Sequence, residues 1–136
     1  MAKLKYDKGK LRIFERNLRD LSPAMRAIAG VLLDATERAF DNEIDPWTNR
    51  KWKDLAESTK QQRERIGRWP GRILEQTGAL AASHQIGWDS RRAWIGTNLE
   101  YAEYHNMGAG VPMRRTIGIS PKDAHRIELL LKNSIK

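Results

Sequence analysis

The fold is decided by residues 73–108, which begin Ile73-Leu74-Glu75-Gln76-Thr77-Gly78-Ala79-Leu80 and end Tyr101-Ala102-Glu103-Tyr104-His105-Asn106-Met107-Gly108. Two short segments between these ends have β character. Residues 84–88 alternate, with Ile86 and Trp88 on one side of the pleat, and residues 93–96 place Trp94 and Gly96 opposite Ala93 and Ile95. The polar turn Asp89-Ser90-Arg91 between them has the length of a hairpin connection. The stretch therefore predicts a short helix, a β-hairpin and a second short helix.

Two glycines of this stretch lie on either side of the hairpin, and each predicts a backbone conformation that other residues adopt with difficulty. Gly78 and Gly108 stand where local structure ends or bends. We expect positive φ or a close backbone approach at both positions.

The residues before the central stretch predict two helices separated by a proline. Residues 1–9 form a basic arm, and from Lys10 to Leu21 apolar residues recur at helical spacing. Ser22-Pro23 predicts the start of a second helix, with Ser22 able to cap it and Pro23 at its first position. That helix should run to about Asp41 and bury one face: Met25, Ile28, Ala29, Leu32, Ala35, Thr36 and Phe40.

Residues 42–71 predict loops around one surface helix. Trp47 and Trp52 flank a polar loop, and we interpret both rings as packing this loop onto the core; an aromatic patch facing a partner is the alternative. Residues 55–66 form a polar helix with only Leu55, Ala56 and Ile66 to bury. Residues 67–71 are rich in Gly and Pro and predict a loop.

The C-terminal part predicts one more strand and a closing helix. Ile117 and Ile119 alternate with Thr116 and Gly118 as in a third short strand. Ser120-Pro121 starts a helix with Asp123 in its first turn, and this helix should bury Ile127, Leu130, Leu131 and Ile135. The whole chain, 1–136, thus predicts a single α+β domain, with N-terminal helices, a small antiparallel sheet and a C-terminal helix.

Composition narrows the function classes. The 136 residues suffice for one core, and Lys and Arg number 25 against 17 Asp and Glu, so the net charge is +8. This charge favours a polyanionic or acidic protein partner. There is no cysteine, no secretory signal and no apolar run of about 18 residues, so we expect a protein of the bacterial cytoplasm with no membrane contact.

Catalytic and cofactor motifs are not found. His84, His105 and His125 share no metal-ligand spacing, and the glycines form no phosphate-binding motif, so we expect no metal and no cofactor. Each histidine is interpreted as a surface or half-buried polar group. One enzymatic alternative is a toxin-like ribonuclease acting through Tyr101, Tyr104, His105, Arg114 and Arg115. The interpretation we prefer places both tyrosine rings in the core beside Ala102 and gives His105 a local hydrogen bond.

Four motifs in order carry a family resemblance over residues 52 to about 127. They are W-x-x-L-x-x-x-T, I-L-x-x-T-G-x-L-x-x-S, G-T-x-x-x-Y-A-x-x-H-x-x-G and P-x-R. They fall on Trp52, Leu55, Thr59, Ile73, Leu74, Thr77, Gly78, Leu80, Ser83, Gly96, Thr97, Tyr101, Ala102, His105, Gly108, Pro112 and Arg114. Together they resemble the phage virion morphogenesis family, the tail-completion and head–tail joining proteins of long-tailed, Mu-like bacteriophages. Asn106 stands where this family commonly has Gln.

The resemblance implies a non-enzymatic assembly protein. Such a protein would complete the tail and join it to the head as a cyclic oligomer, a hexamer among the candidates. Its partners would be further copies of itself, the tail tube and head-connector proteins, in the host cytoplasm and then in the virion neck. Contact with DNA would be non-specific. We expect the assembly interface to include Arg63, Arg65, Arg68, Trp69, Arg72, Arg114 and Arg115. A small basic nucleic-acid-binding protein or the ribonuclease remains the alternative.

Overall fold

A computed structural model describes residues 19–74, 79–99, 101–108 and 111–135 of the chain. In these ranges the elements are α1 (Ser22–Asn42), α2 (Glu57–Arg65), α3 (Ala79–Ala82), β1 (Gln85–Trp88), β2 (Ala93–Gly96), α4 (Tyr101–Met107) and α5 (Pro121–Ser134). The α+β class is confirmed. Some predictions concern residues outside these ranges: the basic arm, nearly all of the first predicted helix, Thr77 and Gly78.

Helix α1 packs against α5, β1 and β2. Its buried residues repeat at helical spacing: Ala24, Met25, Ile28, Ala29, Val31, Ala35, Thr36, Ala39 and Phe40. The predicted face is confirmed except at Leu32, which is half-buried. Ser22 is not a cap, because the helix starts one residue earlier than predicted and its N-cap is Leu21, without a capping side chain. Asp20 Oδ1 accepts from the Ser22 amide instead, at 3.0 Å.

The hairpin occurs at the predicted place in the chain, and both of its strands pack against α1. β1 and β2 pair antiparallel, with Ile86 opposite Ile95 and Gly87 opposite Trp94. Asp89 closes the turn, because its Oδ1 accepts from the amides of Arg91 and Arg92 at 2.8 and 2.7 Å. The prediction of helix, hairpin and helix over the central stretch is therefore confirmed.

The third strand predicted around Ile117 and Ile119 is wrong, since none of residues 111–120 lies in a strand. Side chains from other elements occupy the backbone groups that a neighbouring strand would need. Asn106 Oδ1 accepts from the amides of Thr116 and Ile117 at 2.9 and 3.1 Å. Trp52 Nε1 donates to the Arg115 carbonyl at 3.0 Å, and Trp47 Nε1 donates to that of Ile117 at 3.1 Å.

Thr116 is the centre of this arrangement, with none of its surface exposed. Thr36 Oγ1 on α1 donates to the Thr116 carbonyl at 2.7 Å. The Thr116 hydroxyl lies 3.1 Å from His84 Nε2 and 3.0 Å from Asn106 Nδ2. One residue thus connects α1, the start of the hairpin and α4.

The directions of these hydrogen bonds follow from the chemistry of the groups. His84 Nδ1 lies 2.9 Å from the Leu80 carbonyl, which can only accept, so Nδ1 carries the proton. Because burial lowers the pKa of His84, the ring is neutral near pH 7, so Nε2 accepts from the Thr116 hydroxyl while that hydroxyl accepts from the Asn106 amide. In this arrangement His84 is neutral. The histidine is also buried, which corrects the expectation of a surface or half-buried group.

The hydrophobic core lies beside this network. Phe40, Trp52, Ile73, Leu80 and Ala102 form its buried cluster with Ala39, and the Trp52 and Phe40 rings meet edge to face at 5.6 Å. Trp52 thus packs as predicted. Trp47 is 48% exposed, so the prediction that its ring packs onto the core is wrong; it holds the loop through its hydrogen bond to the Ile117 carbonyl. Gly118 permits this contact, because a Cβ there would lie 2.1 Å from Trp47 Nε1.

Helix α5 begins with the predicted signal. Ser120 and Asp123 form a capping box, in which Ser120 Oγ accepts from the Asp123 amide and the Asp123 carboxylate accepts from the Ser120 amide. Asp123 is buried and also pairs with Arg38 of α1. The four apolar residues predicted to be buried in α5 are half-buried: Ile127, Leu130, Leu131 and Ile135.

Helix α2 confirms the predicted polar surface helix, and none of its residues is buried. The three apolar residues that were predicted to be buried in this helix differ in their exposure. Leu55 packs against the core cluster, whereas Ala56 is exposed and Ile66 is 55% exposed. Within the described residues, no helix combines the length and the apolar character needed to cross a membrane.

Replacing Asn106 should destabilise the protein more than replacing a neighbouring surface asparagine. Asn106→Ala leaves the amides of Thr116 and Ile117 without their acceptor, and we expect a loss of about 2–4 kcal/mol in the free energy of unfolding. Asn98→Ala, at an exposed position, should change it by less than about 0.5 kcal/mol. Urea denaturation measures both, and equal effects would contradict the role given to Asn106.

The neutral His84 should make stability depend on pH. Burial, the largest cause, lowers the pKa of His84 although hydrogen bonds to Leu80 and Ala81 oppose this. Because the folded pKa is lower than the unfolded one, the unfolded state binds the proton first. The stability is therefore fully present above the unfolded pKa and falls as the pH drops below it. His84→Gln should remove a slope of up to about 1.4 kcal/mol per pH unit from urea-unfolding data between about pH 7 and 5; an unchanged slope would refute the assignment.

Candidate functional site

An open groove of about 610 Å³ runs between α2, α3, α4 and the segment before α5. Its volume lies within the range of ligand-binding clefts. The described residues that line it come from four parts of the chain: Lys53, Asp54, Leu55, Ala56, Thr59, Arg63, Ile73, Leu74, Leu80, Tyr101, His105, Val111, Pro112 and Arg114.

Many of the motif residues meet in this groove. The ones that line it are Leu55, Thr59, Ile73, Leu74, Leu80, Tyr101, His105, Pro112 and Arg114. Trp52 and Ala102 lie in the core cluster, of which Leu80 and Ile73 are also members. The motifs therefore describe one continuous region, formed by the groove and the packing beneath it.

The remaining motif residues hold the hairpin and the end of α4. The hydroxyls of Ser83 and Thr97 hydrogen-bond to each other, and Thr97 Oγ1 also accepts from the Leu99 amide at 3.2 Å. Gly96 ends β2. Gly108 has φ +72°, as predicted, and a Cβ there would lie 3.1 Å from that of Met113. These residues position the groove without lining it.

Arg63 fixes one wall of the groove from α2. Its Nη1 and Nη2 donate to the carbonyls of Arg72 and Ile73, both at 2.8 Å. The planar guanidinium suits two adjacent acceptors, which the single ammonium of a lysine cannot match. The segment before α3 is thereby held against α2.

Arg114 lies at the bottom of the groove and is only 5% exposed. Its Nε donates to the Lys53 carbonyl at 2.7 Å and its Nη2 to that of Asp54 at 3.1 Å. Burial, as the largest cause, and the nearby charge of Arg63 both lower the pKa of Arg114, while Asp54 opposes them. The two guanidinium groups therefore place like charges close together, with carbonyl oxygens as their hydrogen-bond acceptors.

His105 lies beside Arg114 on the same groove. Burial first, and then the positive charge of Arg114, lower the pKa of His105, so the imidazole is held in its neutral form. Its Nδ1 is buried without a hydrogen-bond partner, so the predicted local hydrogen bond is not formed at that atom. The His105 carbonyl accepts from the Arg114 amide at 2.8 Å.

The structure distributes the predicted interface residues over several places. Arg63 and Arg114 line the groove, whereas Arg72 donates to the carbonyls of Phe40 and Asp41. Arg115 pairs with Asp45 and lies over the Trp47 ring at 5.8 Å. Arg65 and Arg68 are exposed, and Trp69 is half-buried beside the Lys60 ammonium. Their role in an assembly interface stays a prediction.

The residues named for a ribonuclease are only partly brought together. Tyr101, His105 and Arg114 line the groove, but Tyr104 and Arg115 do not. Tyr101 and Tyr104 are 43% and 53% exposed, so the expectation that their rings enter the core is wrong. Among the described residues, no group of three or more His, Cys, Asp or Glu could hold a metal ion.

Sequence reasoning missed the structural part played by Asn106, His84 and Thr116 and the groove residues Lys53 and Val111. Asn106 was visible only as a departure from the family pattern. The polar stretch before α2 and the apolar Val111 next to Pro112 carry no periodic signal that would have placed them in one groove.

The comparisons with known proteins agree with the motifs that meet in the groove. The chain matches the phage virion morphogenesis family over residues 8–136, and it belongs to that family. It is therefore a phage virion assembly protein. A relative in Escherichia phage Mu, described as a putative capsid assembly protein G, is 35% identical over 103 residues. That match covers 69% of this chain and 66% of the Mu protein, slightly less than two thirds of its length. No solved structure matches the chain significantly.

A matched pair of substitutions on α2 tests the structural role of Arg63. Arg63→Gln removes two hydrogen bonds from a charged donor, and we expect a loss of about 1–2 kcal/mol in the free energy of unfolding. Arg65→Gln changes an exposed residue of the same helix and should cost less than about 0.5 kcal/mol. If urea denaturation gives the same value for both variants, Arg63 does not hold the segment at residues 72–73.

Proposed function

We propose that this protein completes the phage tail and joins it to the head, acting as a cyclic oligomer at the head-proximal end of the tail. The observation that carries the proposal is the family match over residues 8–136, because the family resemblance implies that role. The proposal includes no chemical turnover. Its site of action would be the host cytoplasm during assembly and then the virion neck.

An exposed apolar surface supports contacts between subunits or with partner proteins. Tyr104 and Met107 lie one turn apart on α4 and are 53% and 68% exposed. Met113, 52% exposed, lies beside Gly108 at the end of the same helix. Tyrosine and methionine are enriched in protein–protein interfaces, and a closed tube end requires closed cyclic symmetry.

The partners that fit this role are the tail tube and head-connector proteins. The net charge of +8 favours an acidic surface on those partners. The same charge would permit non-specific contact with DNA passing through a ring, without reading its sequence.

A role in capsid assembly is the second candidate. It is favoured by the description of the Mu relative as a putative capsid assembly protein. If the protein is missing, the first candidate predicts a defect in the tail or in its junction with the head. The second candidate predicts a defect in the head.

Deleting the gene from the phage that encodes this protein should separate the two candidates. We expect electron micrographs of the lysate to show DNA-filled heads and full-length tails that are not joined, with infectious particles restored by the gene on a plasmid. Free tails accompanied by absent or aberrant heads would reject the tail role and favour capsid assembly. Normal, infectious particles would reject both.

A further inference from the structure

Among the residues that the structure describes, the positive charge of the groove is largely uncompensated by acidic side chains. The hydrogen bonds of Arg63 and Arg114 go to backbone carbonyls, which are neutral. Of the described residues that line the groove, Asp54 is the acidic one; its carboxylate pairs with Lys60 at 2.7 Å, and its charge also acts on Arg114. The lowered pKa of Arg114, caused by burial and then by Arg63, agrees with a local excess of positive charge.

Apolar side chains line the same groove as these two cations. Leu55 and Leu74 belong to the partly buried residues that pack on the core, and Leu80 is buried in it. Val111 and Pro112 form the exposed side of the groove. A site of this composition suits a ligand that is apolar along most of its length and carries a negative group.

We propose that the groove binds an acidic, apolar segment of a different virion protein, with a carboxylate of that segment paired with Arg63 and Arg114. Within the described part of the chain, Arg114 Nη1 and Arg63 Nε make no hydrogen bond, whereas the other guanidinium nitrogens each donate to a carbonyl, so these two nitrogens are available to such a carboxylate. The proposal rests on the proposed function in that it gives the chemistry of one assembly partner.

Two other occupants fit the groove less well. Nucleic acid contacts proteins mainly through phosphates on exposed Arg and Lys, whereas Arg114 is 5% exposed. A second copy of this chain, with a net charge of +8, brings an excess of the charge that the groove already has.

The test uses pools of fluorescent seven-residue peptides and the full chain. One pool is drawn from Leu, Val, Phe, Asp and Glu, and the matched pool replaces Asp with Asn and Glu with Gln. Fluorescence anisotropy should show that the acidic pool binds at least tenfold more tightly than the neutral pool. No binding of the acidic pool at millimolar protein, or equal binding of both pools, would overturn the proposal.

A matched pair of variants at an exposed position locates the binding in the groove. Val111→Glu introduces a negative charge and should weaken the binding of the acidic pool at least tenfold. Val111→Gln has the same shape without the charge and should weaken it less than threefold. Circular dichroism checks that both variants fold. Equal binding by the two variants would place the peptide elsewhere and reject the groove.

The remaining occupants are outcomes of the same experiment. Displacement of the bound acidic pool by a 20-nucleotide DNA strand at the same site would indicate a nucleic-acid groove. Loss of self-association in Val111→Glu but not in Val111→Gln, measured by native mass spectrometry, would indicate a second copy. Either result overturns the proposal. None of these measurements depends on whether phage tails lack heads, so the proposal and the proposed function can fail separately.

Discussion

The structure depends on the way the backbone of Thr116 is satisfied by side chains. Thr36, Asn106 and His84 come from three different elements, and each hydrogen-bonds to the backbone or hydroxyl of this one buried residue. A buried amide or carbonyl without a partner costs about 1–3 kcal/mol, so the segment at 114–117 can lie in the interior only if all these donors and acceptors are in place. Its position in turn fixes Arg114, whose guanidinium forms the floor of the groove. The groove is therefore a consequence of the polar network below it.

Features that are set by residues close together in the sequence could be predicted, whereas those set by contacts between distant residues could not. The hairpin at residues 85–96, the helix start at Pro121, helix α1 to within one residue of its start and the αL glycine at 108 follow from signals within a few residues, and were predicted. The third strand failed because alternation shows only that a segment is extended and half-buried, not what pairs with it. At Thr116 and Ile117 the partners are Asn106, Thr36 and Trp47, the last two about 70–80 residues away in the sequence. Local patterns do not contain that information.

The candidate site shows the same division. The motifs identified Leu55, Leu80 and His105 as members of one family pattern, but spacing along the chain could not show that they face one groove. Arg114 was predicted at an assembly interface, and this stays a prediction; the sequence did not show that the residue is buried and hydrogen-bonded to the carbonyls of Lys53 and Asp54. Some arginines of this chain, such as Arg65 and Arg68, are exposed, whereas Arg114 is buried and holds the backbone of other segments. A count of charged residues cannot separate them.

The burial of Arg114 bears directly on what an assembly protein of this kind can recognise. A charge on a flexible surface side chain is screened by water and salt, and it contributes little to a specific contact. In Arg114 the side chain is already fixed by two carbonyls and largely removed from water, so a carboxylate that reaches it loses little further side-chain entropy and meets a weakly screened charge. The same desolvation lowers the pKa of Arg114 and of the neighbouring His105, so this site disfavours additional positive charge. A groove with these properties discriminates by charge as well as by shape, and so favours an acidic partner over further copies of a basic chain.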